Sequence, residues 1–224
     1  MILLAAADLF DPSWVVRNSG RILEATWEHI VLTVLSVVIG LLLSCALSIV
    51  ALRRRRLYRP ILSAGSVLYT IPSLAMFALL VPFTGFSMTT AVIALVTYTL
   101  LILVKNIVTG IDGVPSEIVE AAIGMGYEPR AVLLRVQLPL ALPVIVAGIR
   151  IATVTVIGLV TVTALIGLGG LGRFILSGFR VLPIHPTQIL VGTFASILLA
   201  ITGDVLLLAL ERVLTPWSTR KVAT

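Results

Sequence analysis

Charged residues, cysteine and histidine are all scarce in this chain of 224 residues. Asp, Glu, Lys and Arg together account for 12% of it and hydrophobic residues for 59%, whereas soluble domains carry about 25% charged residues. So apolar a composition indicates that lipid is the solvent. The single cysteine, Cys45, lies in an apolar run and can form no internal disulfide, so we expect a small buried side chain there. His29 and His185 have no neighbouring metal-ligand residues in the sequence.

Motifs for nucleotide chemistry are also missing. The sequence contains no G-x-x-x-x-G-K-[ST] loop, so this chain cannot hold ATP phosphates by that route. Gly167, Gly169 and Gly172 satisfy G-x-G-x-x-G, but they follow an apolar run and no acid lies within the next 30 residues. We therefore expect a tight external turn there, followed by an amphipathic helix or gate, rather than a dinucleotide site. No Ser/His or paired-carboxylate arrangement points to an enzyme.

Five apolar runs are long enough to cross a membrane. About 20 residues suffice for a helical span, and the runs cover residues 29–52, 61–82, 88–109, 139–166 and 187–210. The sequence thus predicts an all-α integral membrane protein with about five transmembrane helices. Its domains would be an external segment (1–28), a membrane domain (29–210) with a cytoplasmic loop at 110–138, and a cytoplasmic tail (211–224).

The Lys and Arg residues are distributed unequally between the two sides. One side receives eleven of them: Arg53, Arg54, Arg55, Arg56, Arg59, Lys105, Arg130, Arg135, Arg212, Arg220 and Lys221. The other receives four: Arg17, Arg21, Arg173 and Arg180. The positive-inside rule then predicts an external N-terminus and a cytoplasmic C-terminus. It also explains the net charge of +6 without nucleic acid, and we interpret Arg53–Arg56 as a topology signal facing anionic lipid.

A few polar residues interrupt the spans. Arg150 and Asp204 have matching predicted depths, which suggests an ion pair between spans four and five; the alternative is that Arg150 snorkels towards the cytoplasm. Span two carries a polar stretch around a proline, which favours a role in lining a translocation path, with one tyrosine of span three. Ordinary helix packing explains these residues equally well. They are Tyr69, Thr70, Pro72, Ser73 and Tyr98.

The cytoplasmic loop reads as a helical hairpin. Pro115 begins the first helix, Gly124 and Gly126 end it, and Pro129 begins a second helix that ends before Pro139. Ala121 and Ala122 on its surface would let a partner approach closely.

The hairpin carries a family motif. Glu120, Ala121, Ala122 and Gly126, followed by Leu138 and Pro139, resemble the EAA loop of the membrane subunits of ABC importers, with Val136 in place of the usual Ile. YTIPSLA, GIRIATV and ALIGLGGLG resemble the osmoprotectant subfamily, which imports glycine betaine, proline betaine, choline or carnitine. The resemblance covers most of the chain from about residue 22 onward.

The resemblance implies a type I importer permease in the bacterial inner membrane. These six hairpin residues would couple it to a separate ATPase, which would hold ATP and magnesium, so no cofactor is expected in this chain. A second permease and an extracytoplasmic binding protein are the other implied partners. An ion-coupled carrier using Asp204, and an importer of another small zwitterion such as an amino acid, are the alternatives.

Overall fold

The computed structural model describes residues 9–217, and within that range every regular element is a helix. The first eight residues and those from 218 on, which include Arg220 and Lys221 of the charge count, lie outside the described part. The elements are α1 Pro12–Arg17, α2 Ser19–Arg53, α3 Arg55–Thr70, α4 Ser73–Thr84, α5 Met88–Asp112, α6 Ser116–Gly124, α7 Pro129–Val132, a π-helical segment Leu133–Gln137, α8 Leu138–Val160, a 3₁₀ segment Thr161–Ile166, α9 Gly172–Arg180 and α10 Pro186–Leu214.

The prediction of about five spans is confirmed, with one span broken. Four continuous stretches are long and apolar enough to cross a membrane: Ser19–Arg53, Met88–Asp112, Pro129–Ile166 and Pro186–Leu214. The fifth candidate is the pair α3 and α4, which are bent by 96° at the break between them. The break falls at Ile71 and Pro72, because proline has no backbone N–H to continue the helix and disfavours helical geometry in the residue before it.

The N-terminal part of the chain is more helical than a simple external segment. Asp11 caps α1 by accepting a hydrogen bond from the Ser13 backbone N–H at 2.8 Å. The Ser13 side chain also bonds this carboxylate and holds the pKa of Asp11 below its ordinary value. The first spanning helix, α2, begins at Ser19, ten residues before the predicted boundary. Trp27 on α2 is 66% exposed, as expected of a side chain at the membrane interface.

The chain divides into two compact units. Of the described residues, the first unit contains 9–38, 71–96 and 153–202. Its core includes Ala25, Leu171 and Phe174, with Trp14 and Ile22 packed against them.

Of the described residues, the second unit contains 39–70, 97–152 and 203–217. One of its clusters joins α5 to α8 through Ile107, Ile111, Ala141 and Ile145. A further cluster joins α2 to α5 through Ala51, Val104 and Val108.

The expected burial of Cys45 is wrong. On α2 the buried positions of this stretch are Ser44 and Ser48, and Cys45 is exposed. The cause is helical geometry, since a residue one position along the helix points about 100° away from its neighbour. In a lipid-solvated protein, an apolar run does not by itself say which of its residues face the inside.

Candidate functional site

Backbone geometry ends the first helix of the hairpin that the sequence predicts to be cytoplasmic. Gly126 has a φ of +87°, its N–H donates to the Ile123 carbonyl at 2.9 Å, and the Tyr127 N–H donates to the Ala122 carbonyl at 3.1 Å. These two bonds form a Schellman motif, for which glycine is the preferred residue. A Cβ on Gly126 would have nothing within 4 Å, so the position requires glycine for its conformation rather than for space. Gly124 is still helical.

The hairpin residues differ in accessibility. Glu120 and Ala121 are exposed, as an interaction surface requires. The expected surface position of Ala122 is wrong: it is 1% exposed. Helix α6 packs on α7 and the π-helical segment, and a small side chain at this buried position lets the helices of the hairpin approach each other closely. Ala122 therefore shapes the hairpin from inside.

The exposed side of the hairpin is unusually apolar for a segment outside the spans. Ile118, Ile123 and Met125 are all exposed, and Met125 is 71% exposed. Glu117 and Glu120 lie on the same short helix and are exposed as well. Exposed apolar side chains with charged neighbours are typical of protein-binding surfaces.

The second half of the hairpin continues directly into a span. The sequence predicts a helix end before Pro139, but α7, the π-helical segment and α8 form one uninterrupted helical stretch. Pro139 has no N–H for the carbonyl four residues earlier, and its ring crowds that carbonyl. The helix widens immediately before the proline, at Leu133–Gln137, and such π-turns accommodate a local irregularity without ending the helix. Leu138 is partly buried and packs against the cluster of α5 and α8.

The structure brings together two of the predicted path residues. The rings of Tyr69 and Tyr98 lie edge to face, with centroids 5.9 Å apart. Tyr69 is 39% exposed and Tyr98 is buried. Thr70 bonds back to the Val67 carbonyl at 2.7 Å. Pro72 and Ser73 lie at the break after α3, where Pro72 is the N-cap of α4.

Arg150 and Asp204 form a two-point ion pair between α8 and α10. Arg150 Nε donates to Asp204 Oδ1 at 2.9 Å, and its Nη2 donates to Oδ2 at 3.0 Å. Arg150 Nη1 also donates to Glu211 Oε2 at 3.3 Å. Glu211 is a third member of this cluster that the sequence did not predict. The seven-residue separation of Asp204 and Glu211 places both carboxylates on one helix face, and this signal could have identified the third member.

The glycine-rich segment after α8 is a packing element. A Cβ on Gly169 would lie 2.3 Å from the Ala164 backbone N, and one on Gly172 would lie 2.1 Å from the Thr161 carbonyl oxygen. His29 Nε2 donates to the Ile157 carbonyl at 2.9 Å, and this ring is fully buried. Among residues 9–217, no group of three His, Cys, Asp or Glu side chains could hold a metal ion.

Comparison with known proteins places this geometry in a family. Residues 36–217 match the family described as the inner membrane component of binding-protein-dependent transport systems. The choline transport system permease protein OpuBB of Bacillus subtilis is 37% identical over 89% of this chain and 91% of its own length. The osmoprotectant import permease protein OsmW of Salmonella typhimurium is 36% identical over 91% of this chain and 96% of its own.

Solved structures show the same fold. The inward-facing MetNI methionine ABC transporter superposes with a TM-score of 0.77 over 88% of this chain and 97% of that one, at 19% identity. This likeness establishes the type I importer permease fold, and the spans agree with a multi-pass protein of the inner membrane. The chain belongs to the family of inner membrane components of binding-protein-dependent transport systems.

Proposed function

We propose that this chain is the permease subunit of an ABC importer for small quaternary ammonium compounds such as choline, carnitine and glycine betaine. The observation that carries the proposal is the near full-length similarity to permeases named for those substrates. The chain would work as a homodimer or with a similar second permease, together with two ATPase subunits and an extracytoplasmic binding protein.

The coupling step is assigned to the hairpin α6–α7. Its exposed side chains Ile118, Ile123 and Met125 offer an apolar surface to a cleft on the ATPase. Because the second half of the hairpin is continuous with α8, displacement of the hairpin would move a spanning helix directly. ATP binding would bring the two ATPases together and open the path outward, and hydrolysis would reset it. This chain contributes no catalytic group to that reaction.

The substrate path is assigned to the surroundings of Tyr69 and Tyr98. A quaternary ammonium group carries a delocalised positive charge that is attracted to the face of an aromatic ring. The Tyr69 ring is partly exposed and meets the Tyr98 ring at close to a right angle, so part of it is accessible to substrate while the contact restrains its orientation. A weak site of this kind suits a permease that receives substrate from a binding protein.

Family membership sets aside the ion-coupled carrier, since members are components of binding-protein-dependent systems. A permease for an amino acid stays the competing proposal. A methionine transporter shares the fold at 19% identity, so the fold does not distinguish between the two kinds of substrate. Likeness at that level says nothing about substrate.

The hairpin assignment is tested by measuring ATP hydrolysis in nanodiscs. The permease would be assembled with the candidate ATPase, and the binding protein added with and without glycine betaine. We expect stimulation by the loaded binding protein, and loss of that stimulation in Gly126→Asp although the complex still inserts and assembles. Normal stimulated hydrolysis and transport in Gly126→Asp would refute the coupling role of the hairpin.

The path is tested by paired substitutions at Tyr69. Tyr69→Ala removes the ring, whereas Tyr69→Phe keeps the aromatic face and removes only the hydroxyl. We expect betaine uptake to fall about tenfold in Tyr69→Ala and to change little in Tyr69→Phe, since a cation–π contact contributes about 1 to 2 kcal/mol. Equal loss in both variants would instead implicate the hydroxyl.

A further inference from the structure

The first unit contains a cavity of about 440 Å³ lined by three arginines. Arg21 on α2 and Arg173 and Arg180 on α9 contribute to its wall, together with Glu24 and Ser177. The positive-inside rule assigns these arginines to the outer side of the membrane. None of them takes part in the coupling hairpin or the tyrosine pair.

The three arginines differ in how their charges are balanced. Arg173 forms an ion pair with Glu28. Arg21 donates to the Asn18 side chain at 3.1 Å and lies 6.0 Å from the centre of the Phe174 ring. Within residues 9–217, neither Arg21 nor Arg180 has a carboxylate partner. The cavity therefore presents two guanidinium groups whose charge is not neutralised by an ion pair.

These groups project from a fixed platform. Trp14 packs edge-on against the buried Phe174 ring, with centroids 5.9 Å apart. Ser177 donates to the Gln188 side chain at 2.6 Å. A Cβ on Gly178 would lie 2.6 Å from the Ile189 side chain, which shows how closely α9 packs on the start of α10. The backbone that carries the two cations is thereby fixed, so less of the site needs to be ordered when a partner binds, and that favours affinity.

The depth of the cavity favours a soluble partner over a lipid headgroup. Trp27, exposed on α2, marks the membrane interface. Arg21 lies six residues before it, which is about 9 Å further out along the helix. Beside Arg180, the side chains of Phe179, Val181 and Leu182 are exposed, Leu182 at 90%. Arginine surrounded by exposed apolar side chains is the composition of a protein interface.

We propose that Arg21 and Arg180 form a docking site for surface carboxylates of the extracytoplasmic binding protein. The inference rests on the proposed function, which supplies the partner. Each guanidinium can bind a carboxylate through two parallel hydrogen bonds. The exposed apolar side chains around Arg180 would exclude water from the contact, and Arg173 would stay bound to Glu28.

The test is direct binding of a purified glycine betaine-binding protein from the same organism to the complete importer in nanodiscs. Arg21→Glu and Arg180→Glu should each weaken docking about tenfold or more, because a reversed charge repels the partner's carboxylate. Arg17→Glu is the matched control, because Arg17 is an exposed outer arginine that does not line the cavity. The affinity of this variant importer for the binding protein should change less than about twofold. If Arg180→Glu does not fold, Arg180→Gln replaces it: this variant removes the positive charge without reversing it and should also weaken docking.

Salt dependence and lipid composition separate the remaining outcomes. Wild-type docking should weaken between about 0.01 M and 0.15 M ionic strength, and the double variant Arg21→Gln with Arg180→Gln should lose most of that dependence. Unchanged affinity in both single reversals would overturn the proposal. The proposal would also be overturned if the charge-reversal variants bound the binding protein normally and lost stimulated ATP hydrolysis only in membranes that contain anionic lipid. That result would identify a site for a lipid headgroup. If the wild-type importer is not stimulated by any binding protein, the proposed function itself fails.

Discussion

Two glycines of the first unit and one of the second lie against different kinds of neighbour. In the first unit, a Cβ on Gly172 would lie 2.1 Å from the Thr161 carbonyl oxygen, and one on Gly170 would lie 2.6 Å from the Ala25 carbonyl oxygen. In the second unit, a Cβ on Gly40 would lie 2.0 Å from Thr99 Oγ1. The nearest atoms at Gly170 and Gly172 therefore belong to the main chain, whereas the nearest atom at Gly40 belongs to a side chain.

This difference separates what a substitution does at each kind of contact. A backbone carbonyl cannot move without shifting its helix, so a new methyl group at Gly172 displaces a whole element. The second unit also contains ion pairs between side chains of different helices, such as Arg150 with Asp204 and Arg55 with Asp112. A methyl group added against main chain should therefore be more damaging than one added against a side chain, or than the loss of one of these ion pairs.

The largest effect is expected at Gly172. Gly172→Ala should destabilise the protein by about 3 kcal/mol and reduce the yield of folded protein, because overpacking against the Thr161 backbone cannot be relieved locally. Gly40→Ala is the comparison in the second unit and should cost less, about 1 kcal/mol, because a side chain yields more readily than main chain to an added methyl group. Thermal unfolding of both variants in detergent measures the difference. Equal destabilisation would contradict the distinction between main-chain and side-chain contacts.

The next largest effect is expected at Asp204. Asp204→Asn leaves Arg150 paired with Glu211, and we expect a loss of about 2 kcal/mol, since an incompletely paired charge in a span is costly. The exchange of Arg150→Asp with Asp204→Arg should restore part of the expression that each single change removes. Expression and unfolding of the four proteins form a double-mutant cycle, and the absence of any rescue would contradict a direct pair.

A smaller effect is expected in the hairpin. Gly126→Ala places a side chain at a φ of +87° and should cost about 1 kcal/mol of hairpin stability. Gly124→Ala, two residues earlier within the helix, should be neutral or stabilising by up to about 1 kcal/mol. Amide hydrogen exchange over residues 116–132 would register both changes. Faster exchange in Gly124→Ala than in Gly126→Ala would reverse the assignment of the helix end.

The smallest effect is expected at the pair of Arg55 and Asp112. Its two hydrogen bonds measure 2.7 and 2.6 Å, but both side chains are exposed. Asp112→Asn should therefore change stability by less than about 1 kcal/mol. Thermal unfolding at low and high salt should show little difference between this variant and the wild type. A loss of stability as large as that of Asp204→Asn would show that solvent exposure does not determine how much an ion pair contributes to stability in this protein.

Local signals in the sequence were sufficient for the helices and for the outline of the hairpin. Pro115 and Gly126 act through their own backbone preferences, and these do not depend on the rest of the fold. The contact of Arg150 with Asp204 could also be predicted from the sequence, because a charge in a span needs a partner and the spans contain few residues of opposite charge.

The direction in which each side chain points from its helix was harder to predict from the sequence. The exposure of Cys45 depends on which neighbours cover each face of α2, and an apolar solvent removes the hydrophobic periodicity that normally reveals this. The burial of Ala122 depends on the packing of α6 against α7 and the π-helical segment. The continuation of α7 through Pro139 depends on a π-turn that has no simple sequence signal. The docking arginines could not be distinguished from the paired Arg173 until Glu28 was placed in contact with it.

Uptake of labelled glycine betaine tests the central claim most directly. The chain would be reconstituted in proteoliposomes with its candidate ATPase and binding protein, with and without internal ATP. The account predicts uptake that requires ATP and the binding protein and is reduced by excess unlabelled choline or carnitine. Uptake that follows the membrane potential without ATP, or ATP-dependent uptake of an amino acid in place of betaine, would contradict it.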